Sequence, residues 1–165
     1  MSAPRLSIEL ENGRHERVCM WQNEPRLDLR EWDQDKPTKK GISLKIHQVK
    51  SLVDTMETIR ENLDKNEEMK WHLGFNAYVT VRENNPCVDI RQYWKPPQHE
   101  ESVPTKKGLC LRPEEYKNLE KYWEEIKNAM PELETFVPCY HQDDHLNQIG
   151  MWRCPACNPD GYGEW

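Results

Sequence analysis

The sequence is short of apolar material and contains no long hydrophobic run. Of its 165 residues, 36% are hydrophobic and 32% are charged. A membrane-spanning helix needs about 20 consecutive, mostly apolar residues, and no stretch of the chain approaches that length. The N-terminal segment MSAPRLSIELENGRH also lacks the apolar centre of a secretory signal. We therefore expect a soluble intracellular protein with no membrane partner.

The chain also lacks the excess of positive charge that is common among nucleic-acid-binding proteins. Its formal net charge is −6. Most of this charge lies at 129–165, which holds six acidic residues and one basic residue. The rest of the chain is nearly neutral, so any binding of nucleic acid must use local basic patches and not a global field.

The six cysteines do not form a pattern typical of a disulfide framework. Cys19, Cys87 and Cys110 stand singly within strand-like runs, whereas the other three cluster near the C-terminus. This distribution indicates reduced thiols together with a candidate metal site. No nucleophile with an accompanying base is evident, so we predict that the protein is not an enzyme.

What the sequence does contain is a repeat: Pro-Thr-Lys-Lys-Gly occurs at 37–41 and again at 104–108. The copies follow LDLREW at 27–32 and VDIRQYW at 88–94. These runs are offset by 61 residues and the Lys pairs by 67, so copy two has six extra residues in one loop, around 96–103. The repeat indicates two similar modules of about 60 residues, each too small to bury a comfortable core alone.

Periodicity assigns the same elements to both copies. Alternation of apolar residues predicts four strands in each, and the offset of 61 extended upstream matches Val18 with Val79. After a Lys-Lys-Gly turn and a last strand, apolar spacings of three and four predict a helix from Ile46 through the charged stretch at 60–70, and one helix in copy two. The predicted fold class is α+β, with ββββα modules at 1–68 and 69–130 and a small acidic Cys/His tail at 131–165.

One face of the third strand has a composition that suits binding. Alternation points Leu27 and Leu29 to the core and Asp28, Arg30 and Trp32 outward, and copy two repeats the arrangement. Arg and aromatic rings beside a Lys pair suit single-stranded nucleic acid, because rings stack on bases and cations neutralise phosphates. The alternative is structural, since a strand Arg near an Asp is commonly paired across strands and Trp residues commonly pack. The residues alone leave both interpretations open.

These runs resemble the conserved core of the positive cofactor 4 (p15) family of transcriptional coactivators. The resemblance is carried by VDIRQYW with PTKKGLCLRPEEY, by LDLREW with PTKKGISLKIHQV, and by WHLGFNAYVTVRE in copy two. It covers roughly residues 6–65 and 70–128. It implies a curved four-stranded antiparallel sheet with a C-terminal helix, dimerised through the helices and gripping single-stranded or melted DNA. With two copies in one chain, it implies an intramolecular pseudo-dimer.

The resemblance also implies which residues contact DNA. They are Arg30, Trp32, Lys39 and Lys40 in copy one, and Arg82, Arg91, Tyr93, Trp94, Lys106 and Lys107 in copy two. The chain departs from the family at the hairpin tips, QNEPR and ENNPC, which carry no aromatic residue, and at Trp21, which stands where copy two has Arg82. Each departure removes an expected phosphate contact or stacking platform, so we expect weaker binding than in an intact family member.

The tail carries Cys and His residues at spacings that suit zinc. The predicted ligands are Cys139, His141, Cys154 and Cys157, with His145 as an alternative. A two-residue gap lets both sulfurs of a Cys-x-x-Cys turn face one ion, and a bound ion would account for the folding of a segment with few aliphatic residues. The other interpretations are a disordered acidic tail with incidental cysteines and a redox pair at Cys154 and Cys157.

The leading hypothesis is a nuclear single-stranded-DNA-binding transcriptional coregulator with a zinc-stabilised tail. Its DNA contacts would not depend on sequence, and proteins of the transcription machinery are further expected partners. The alternative is a protein-interaction module that keeps the fold but has lost most nucleic-acid binding, an interpretation favoured by the acidic tail and the altered hairpin tips.

Overall fold

The first module is a four-stranded antiparallel sheet followed by a helix. The computed structural model describes residues 3–146 and 148–160. Its first elements are β1 (Leu6–Glu11), β2 (Arg14–Trp21), β3 (Glu24–Asp33), β4 (Lys36–Lys45) and α1 (Ile46–Lys65). The strands pair in chain order, and alternate residues of β3 are fully buried, Leu27 and Leu29 among them. The predicted inward face of this strand is confirmed.

The second module repeats this arrangement. Its elements are β5 (Met69–Gly74), β6 (Ala77–Val81), β7 (Val88–Trp94), β8 (Val103–Leu111), α2 (Pro113–Lys121) and α3 (Trp123–Ala129), and its strands again pair in chain order. The loop between β7 and β8 contains the extra residues that the sequence predicts. The tandem ββββα fold is therefore confirmed.

The helices differ from expectation in two respects. The first helix ends at Lys65, before the charged stretch is complete, because Asn66 adopts a left-handed conformation with φ of 55°. Asn commonly ends helices in this conformation. The single helix predicted for copy two is divided at Tyr122, whose φ of −95° and ψ of 14° interrupt it between α2 and α3.

Strand pairing shifts the alignment of the two copies. Val18 pairs with Leu6, and Val81 pairs with Met69. The counterpart of Val18 is therefore Val81 and not Val79, as the constant offset of 61 predicted. The prediction was wrong by two residues in the first two strands because eight residues separate the paired Val18 and Leu27, whereas six separate the equivalent pair Val81 and Val88.

This register gives Val79 an unexpected counterpart, Glu16. Glu16 pairs with Leu29 as Val79 pairs with Ile90, so both face the core. The Glu16 side chain is fully buried, and its two carboxyl oxygens have no hydrogen-bond partner among the described residues. Burial, reinforced by the charge of Glu125, raises the pKa of Glu16 to about 9. The group is therefore protonated at neutral pH, when a charged carboxylate would be costly to bury.

The two modules pack against each other over a shared core. A single cluster of buried apolar residues includes side chains from both sheets and from the three long helices. Strands β4 and β8 are neighbours, and α1 contacts β5 while α2 contacts β1. Hydrogen bonds cross between modules from Tyr116 to the Met56 carbonyl, from Gln48 to the Gly74 carbonyl and from Asn118 to the Leu10 carbonyl. Each small module thereby covers apolar surface of the other.

The tail packs mainly on α1 and on the β5–β6 turn. It contains short helices α4 (Glu132–Thr135) and α5 (Gln148–Arg153) and two 3-10 turns, Cys139–His141 and Asp143–Leu146. Tyr140 donates to Asp54 on α1 at 2.6 Å, and the Phe75 N–H donates to the Ala156 carbonyl at 2.7 Å. Among the helices of the described residues, none combines the length and apolar character needed to cross a membrane.

Candidate nucleic-acid interface and metal centre

The strand arginine of the first module lies directly over a glycine. Arg30 donates to both carboxylate oxygens of Asp28 (3.2 and 3.1 Å) and to the Thr38 carbonyl (2.8 Å). Gly41 of β4 pairs with Arg30 of β3. A Cβ on Gly41 would lie 2.8 Å from the Arg30 Cβ and 2.6 Å from the Leu29 carbonyl oxygen. Only glycine leaves room for the arginine side chain to pass over this position. The packing of Arg30 therefore accounts for the Gly that ends the repeated motif.

The second module contains the same arrangement. Arg91 donates to Asp89 at 2.9 Å and to the Thr105 carbonyl at 2.8 Å, and it lies over Gly108. The hydrogen bonds that Asp89 accepts raise the pKa of Arg91 above the usual value for arginine. Arg30 and Arg91 are both 22% exposed. Each guanidinium is thus largely committed to contacts within its own sheet.

The Pro-Thr-Lys-Lys-Gly motif forms a bulge inside a strand, not a turn before one. It lies within β4 and β8, where strand pairing shifts register opposite Glu31 and Gln92. Thr38 Oγ1 donates to the Glu31 carbonyl (2.7 Å) and accepts from the Lys40 N–H (3.2 Å). Thr105 makes the same pair of bonds at the same distances in the second module. A bulge redirects side chains, and here it leaves both Lys pairs, Lys39, Lys40, Lys106 and Lys107, exposed.

The predicted aromatic residues differ in accessibility. Trp32 is half-buried, with the Arg17 guanidinium 4.5 Å from its ring centroid. Tyr93 packs edge-on against Tyr78 at 4.8 Å. Trp94 is 55% exposed, so it is the most accessible of the three predicted rings.

Arg82, the remaining predicted residue, is exposed at the end of β6. It lines a hollow of about 450 Å³ together with Arg91 and Lys106. Because Val18 corresponds to Val81, its counterpart in the first module is Cys19, and the predicted match with Trp21 was wrong. The first module therefore has no cation at this position of its sheet.

A larger groove runs between the modules. Its volume is about 710 Å³, within the range of about 300–1,000 Å³ typical of ligand clefts. The lining residues are Arg26, Arg30, Lys39, Gly41, Ile42, Ser43, Lys45, Gln48, Phe75, Gln92, Lys106 and Lys107. Six of these are basic and none is acidic. We call this the Phe75 groove, after the one aromatic ring in its wall.

Lys45 and Phe75 are among the residues of the Phe75 groove that the sequence analysis missed. Lys45 Nζ lies 4.1 Å from the centroid of the Phe75 ring. Lys45 had a signal, because the alternation of β4 places it on the same outward face as Ser43. Phe75 had none, since its position in the turn after Gly74 becomes part of a groove only through contacts with the other module.

Four side chains of the tail converge into a group that can hold a metal ion. The ligand atoms of Cys139, His145, Cys154 and Cys157 all lie within 4.8 Å of one another. The Cys139 and Cys157 sulfurs are 3.5 Å apart, and His145 Nε2 lies 3.2 Å from the Cys157 sulfur. Two sulfurs that each lie about 2.3 Å from a tetrahedral zinc ion are about 3.8 Å apart. The donor types therefore suit zinc, and the two sulfurs lie about 0.3 Å closer together than in a tetrahedral zinc site.

The histidine in this group is the alternative ligand, His145, and not His141. His141 shares a short 3-10 turn with Cys139, where its ring is exposed and packs against Tyr140 with centroids 4.7 Å apart. The second 3-10 turn brings His145 back to the cysteines. Sequence spacing alone did not separate the two, because the choice depends on how the chain folds between the turns.

His47 of α1 borders the cysteine group from the first module. Its Nε2 lies 3.0 Å from the Cys139 sulfur, and the side chain is 8% exposed. Burial lowers the pKa of His47, so the imidazole is neutral at neutral pH. Side chains that hydrogen-bond to ligands commonly orient them in metal sites. The contact places His47 as an orienting partner for Cys139.

Comparison with known proteins identifies the family. The duplicated sheet, with its Lys pairs and inter-module basic groove, defines a class of protein suited to binding a polyanion. The model of the family described as transcriptional coactivator p15 (PC4) matches residues 8–55 and again residues 71–122. These segments make up more than half of the chain, so the chain belongs to this family of non-enzymatic, DNA-binding transcriptional coactivators. No solved structure matches it.

Proposed function

We propose that the protein binds single-stranded DNA through its two Lys pairs and acts in the nucleus as a transcriptional coregulator. The observation that carries the proposal is the duplicated bulge, which exposes Lys39 and Lys40 in one module and Lys106 and Lys107 in the other. An exposed pair of flexible cations beside a sheet can follow a phosphate backbone without reading its sequence.

The positions that the two repeats share have different roles in this proposal. Arg30 and Arg91, which are committed to internal hydrogen bonds, hold the bulges in shape and add long-range positive charge. The Lys pairs and Arg82 contact phosphates. Trp94 stacks on a base, because its ring is accessible, while Trp32 and Tyr93 support neighbouring cations.

In this proposal the two modules correspond to the two protomers of a dimer. Support comes from the shared core, from the neighbouring strands β4 and β8, and from the hydrogen bonds that cross between modules. Such a pseudo-dimer would bind DNA without a second chain. Proteins of the transcription machinery remain proposed partners of the whole assembly.

We propose zinc as the ion of the tail site. Three thiols and one imidazole are a donor set of the Cys₃His type found in structural zinc sites. The ion would be held by Cys139, His145, Cys154 and Cys157, with His47 orienting Cys139. All four ligands come from protein, so the role would be to fold the tail and not to activate water.

A salt-dependent titration of a fluorescently labelled single-stranded oligonucleotide tests the DNA proposal. The double variant Lys106→Ala/Lys107→Ala is expected to bind about tenfold more weakly at low salt. It should also lower the slope of log affinity against log salt by about 1.4, because each phosphate contact on a single strand contributes about 0.7. The matched control is Lys117→Ala/Lys127→Ala, which removes two exposed lysines from α2 and α3.

The outcomes separate the proposal from its rival. Equal weakening by the control pair would mean that only net charge matters. No binding by the unmodified protein at low salt would reject the proposal and favour a protein-interaction module built on the same fold.

A further inference from the structure

The two modules build an inter-module surface twice, once on each side, and the two sides are not equivalent. Strand register and turn geometry identify the counterparts: Phe75 matches Asn12, with φ of 55° and 56°, and Gln92 matches Glu31. Gln48 matches Glu115, because each accepts a 2.8 Å hydrogen bond from the backbone N–H of the residue before its helix. We call the surface built from these counterparts the Asn12 side.

On the Asn12 side two acidic residues form ion pairs with Arg14 and Lys40. Arg14 lies 3.7 Å from Glu31 and 3.8 Å from Glu115, and Lys40 lies 3.7 Å from Glu31. Asn12 donates to Glu115 at 2.8 Å. Its counterpart on the other side is the aromatic residue Phe75. A phosphate arriving here would meet the partly exposed Glu31 carboxylate above the buried carboxylate of Glu115, and would have to displace existing ion pairs.

On the Phe75 side neutral amides make the equivalent links. Gln48 donates to the Gly74 carbonyl at 2.9 Å, and Gln92 donates to the Phe75 carbonyl at 2.7 Å. The first bond joins the two modules and the second fixes the Phe75 turn within its own module, and neither places an acid beside the basic lining. Arg26, whose counterpart by register is Cys87, adds a further cation on this side alone.

We infer that, of these two inter-module surfaces, single-stranded DNA uses the Phe75 groove and not the Asn12 side, so that one chain binds one strand even though it contains two modules. Lys45, Lys106 and Arg26 take the phosphates there, and Phe75 provides the apolar wall for a base. The inference rests on the proposed function and adds to it which of two repeated surfaces is used.

Matched substitutions on the two sides test the inference with the same labelled oligodeoxynucleotide. Lys45→Ala and Phe75→Ala are each expected to weaken binding about tenfold, and Lys45→Ala to lower the salt slope by about 0.7. Their counterparts Arg112→Ala and Asn12→Ala should stay within about twofold of the unmodified protein. Thermal unfolding of each variant shows whether a loss of binding reflects a loss of fold.

A measurement on the unmodified protein removes the dependence on variants. Ultraviolet cross-linking to a strand containing bromodeoxyuridine, followed by peptide mapping, should label the segment around Phe75, and a short strand should bind with a ratio of one per chain. Two strands per chain, or equal labelling of the segment around Asn12, would overturn the inference and leave the proposed function standing. Failure to bind any strand would instead contradict the proposed function.

Discussion

The two sides of this molecule show how a duplicated module can keep its fold and lose its symmetry. Both modules retain the bulge, the Lys pair and the arginine that lies over glycine, all of which depend on contacts within one sheet. The differences that set the two sides apart lie where one module faces the other. Glu31 and Glu115 stand on one side where Gln92 and Gln48 stand on the other, and these changes alter charge without altering the backbone.

The tail adds to this asymmetry because Ala156 and Asp160 form hydrogen bonds with the β5–β6 turn, one of the two β-hairpin turns that lie between the modules. The Phe75 N–H donates to the Ala156 carbonyl, in addition to the bond that both turns share, from the Trp32 N–H to the Gly13 carbonyl and from the Tyr93 N–H to the Asn76 carbonyl, each at 2.7 Å. The proposed zinc ion would therefore stabilise the edge of the Phe75 groove and leave the Asn12 side untouched.

Removal of the metal should have the largest effect. Cys154→Ser is expected to abolish stoichiometric zinc binding and to release the tail, because structural zinc contributes about 10–16 kcal/mol of apparent binding free energy to folding. Elemental analysis and limited proteolysis measure these losses. Hydrogen exchange should then accelerate at the Phe75 amide and stay unchanged at the Trp32 amide.

The control for this experiment is Cys110→Ser, which removes an exposed thiol of β8 that lies outside the metal group. If the unmodified protein contains no zinc and its tail resists protease equally well in both variants, then packing on α1 and not a metal holds the tail.

A second comparison concerns the core, where Glu16 occupies the position of Val79. Glu16→Val is expected to stabilise the protein by about 2–4 kcal/mol at pH 8, because it removes an unpartnered buried polar group. The pKa of Glu16 is about 9 in the fold against an ordinary value of 4.5. Between these values the unfolded chain loses the proton while the fold keeps it, so the stability of the unmodified protein falls as pH rises.

The gain from Glu16→Val should accordingly be larger at pH 8 than at pH 5. Urea unfolding at the two pH values measures it, and Glu61→Gln, which neutralises an exposed glutamate of α1, serves as the control. A gain that is the same at both pH values would show that Glu16 is ionised in the fold or reaches solvent.

Much of this architecture could be predicted from the sequence, because its signals are local. Alternation identified the strands, and the repeated motif identified the duplication. What failed depends on how elements pair in space. Two additional residues between the paired positions of β2 and β3 place Glu16, and not Val18, at the position that corresponds to Val79, and the choice between His141 and His145 depends on how the tail folds. The Phe75 groove was not predictable, since its lining comes from both modules.

The smallest predicted effect concerns Glu31, an acidic residue of the Asn12 side. Glu31→Gln removes the carboxylate that lies 3.7 Å from both Arg14 and Lys40. Exposed ion pairs contribute at most about 1 kcal/mol, so oligonucleotide affinity should rise only about two- to fivefold, with a slightly steeper salt dependence. Glu124→Gln on α3 makes the same change in net charge at an exposed position away from both sides. If Glu124→Gln produces an equal gain, the acidic residues of the Asn12 side act only through net charge; a gain confined to Glu31→Gln would mean that local ion pairing keeps DNA off that side.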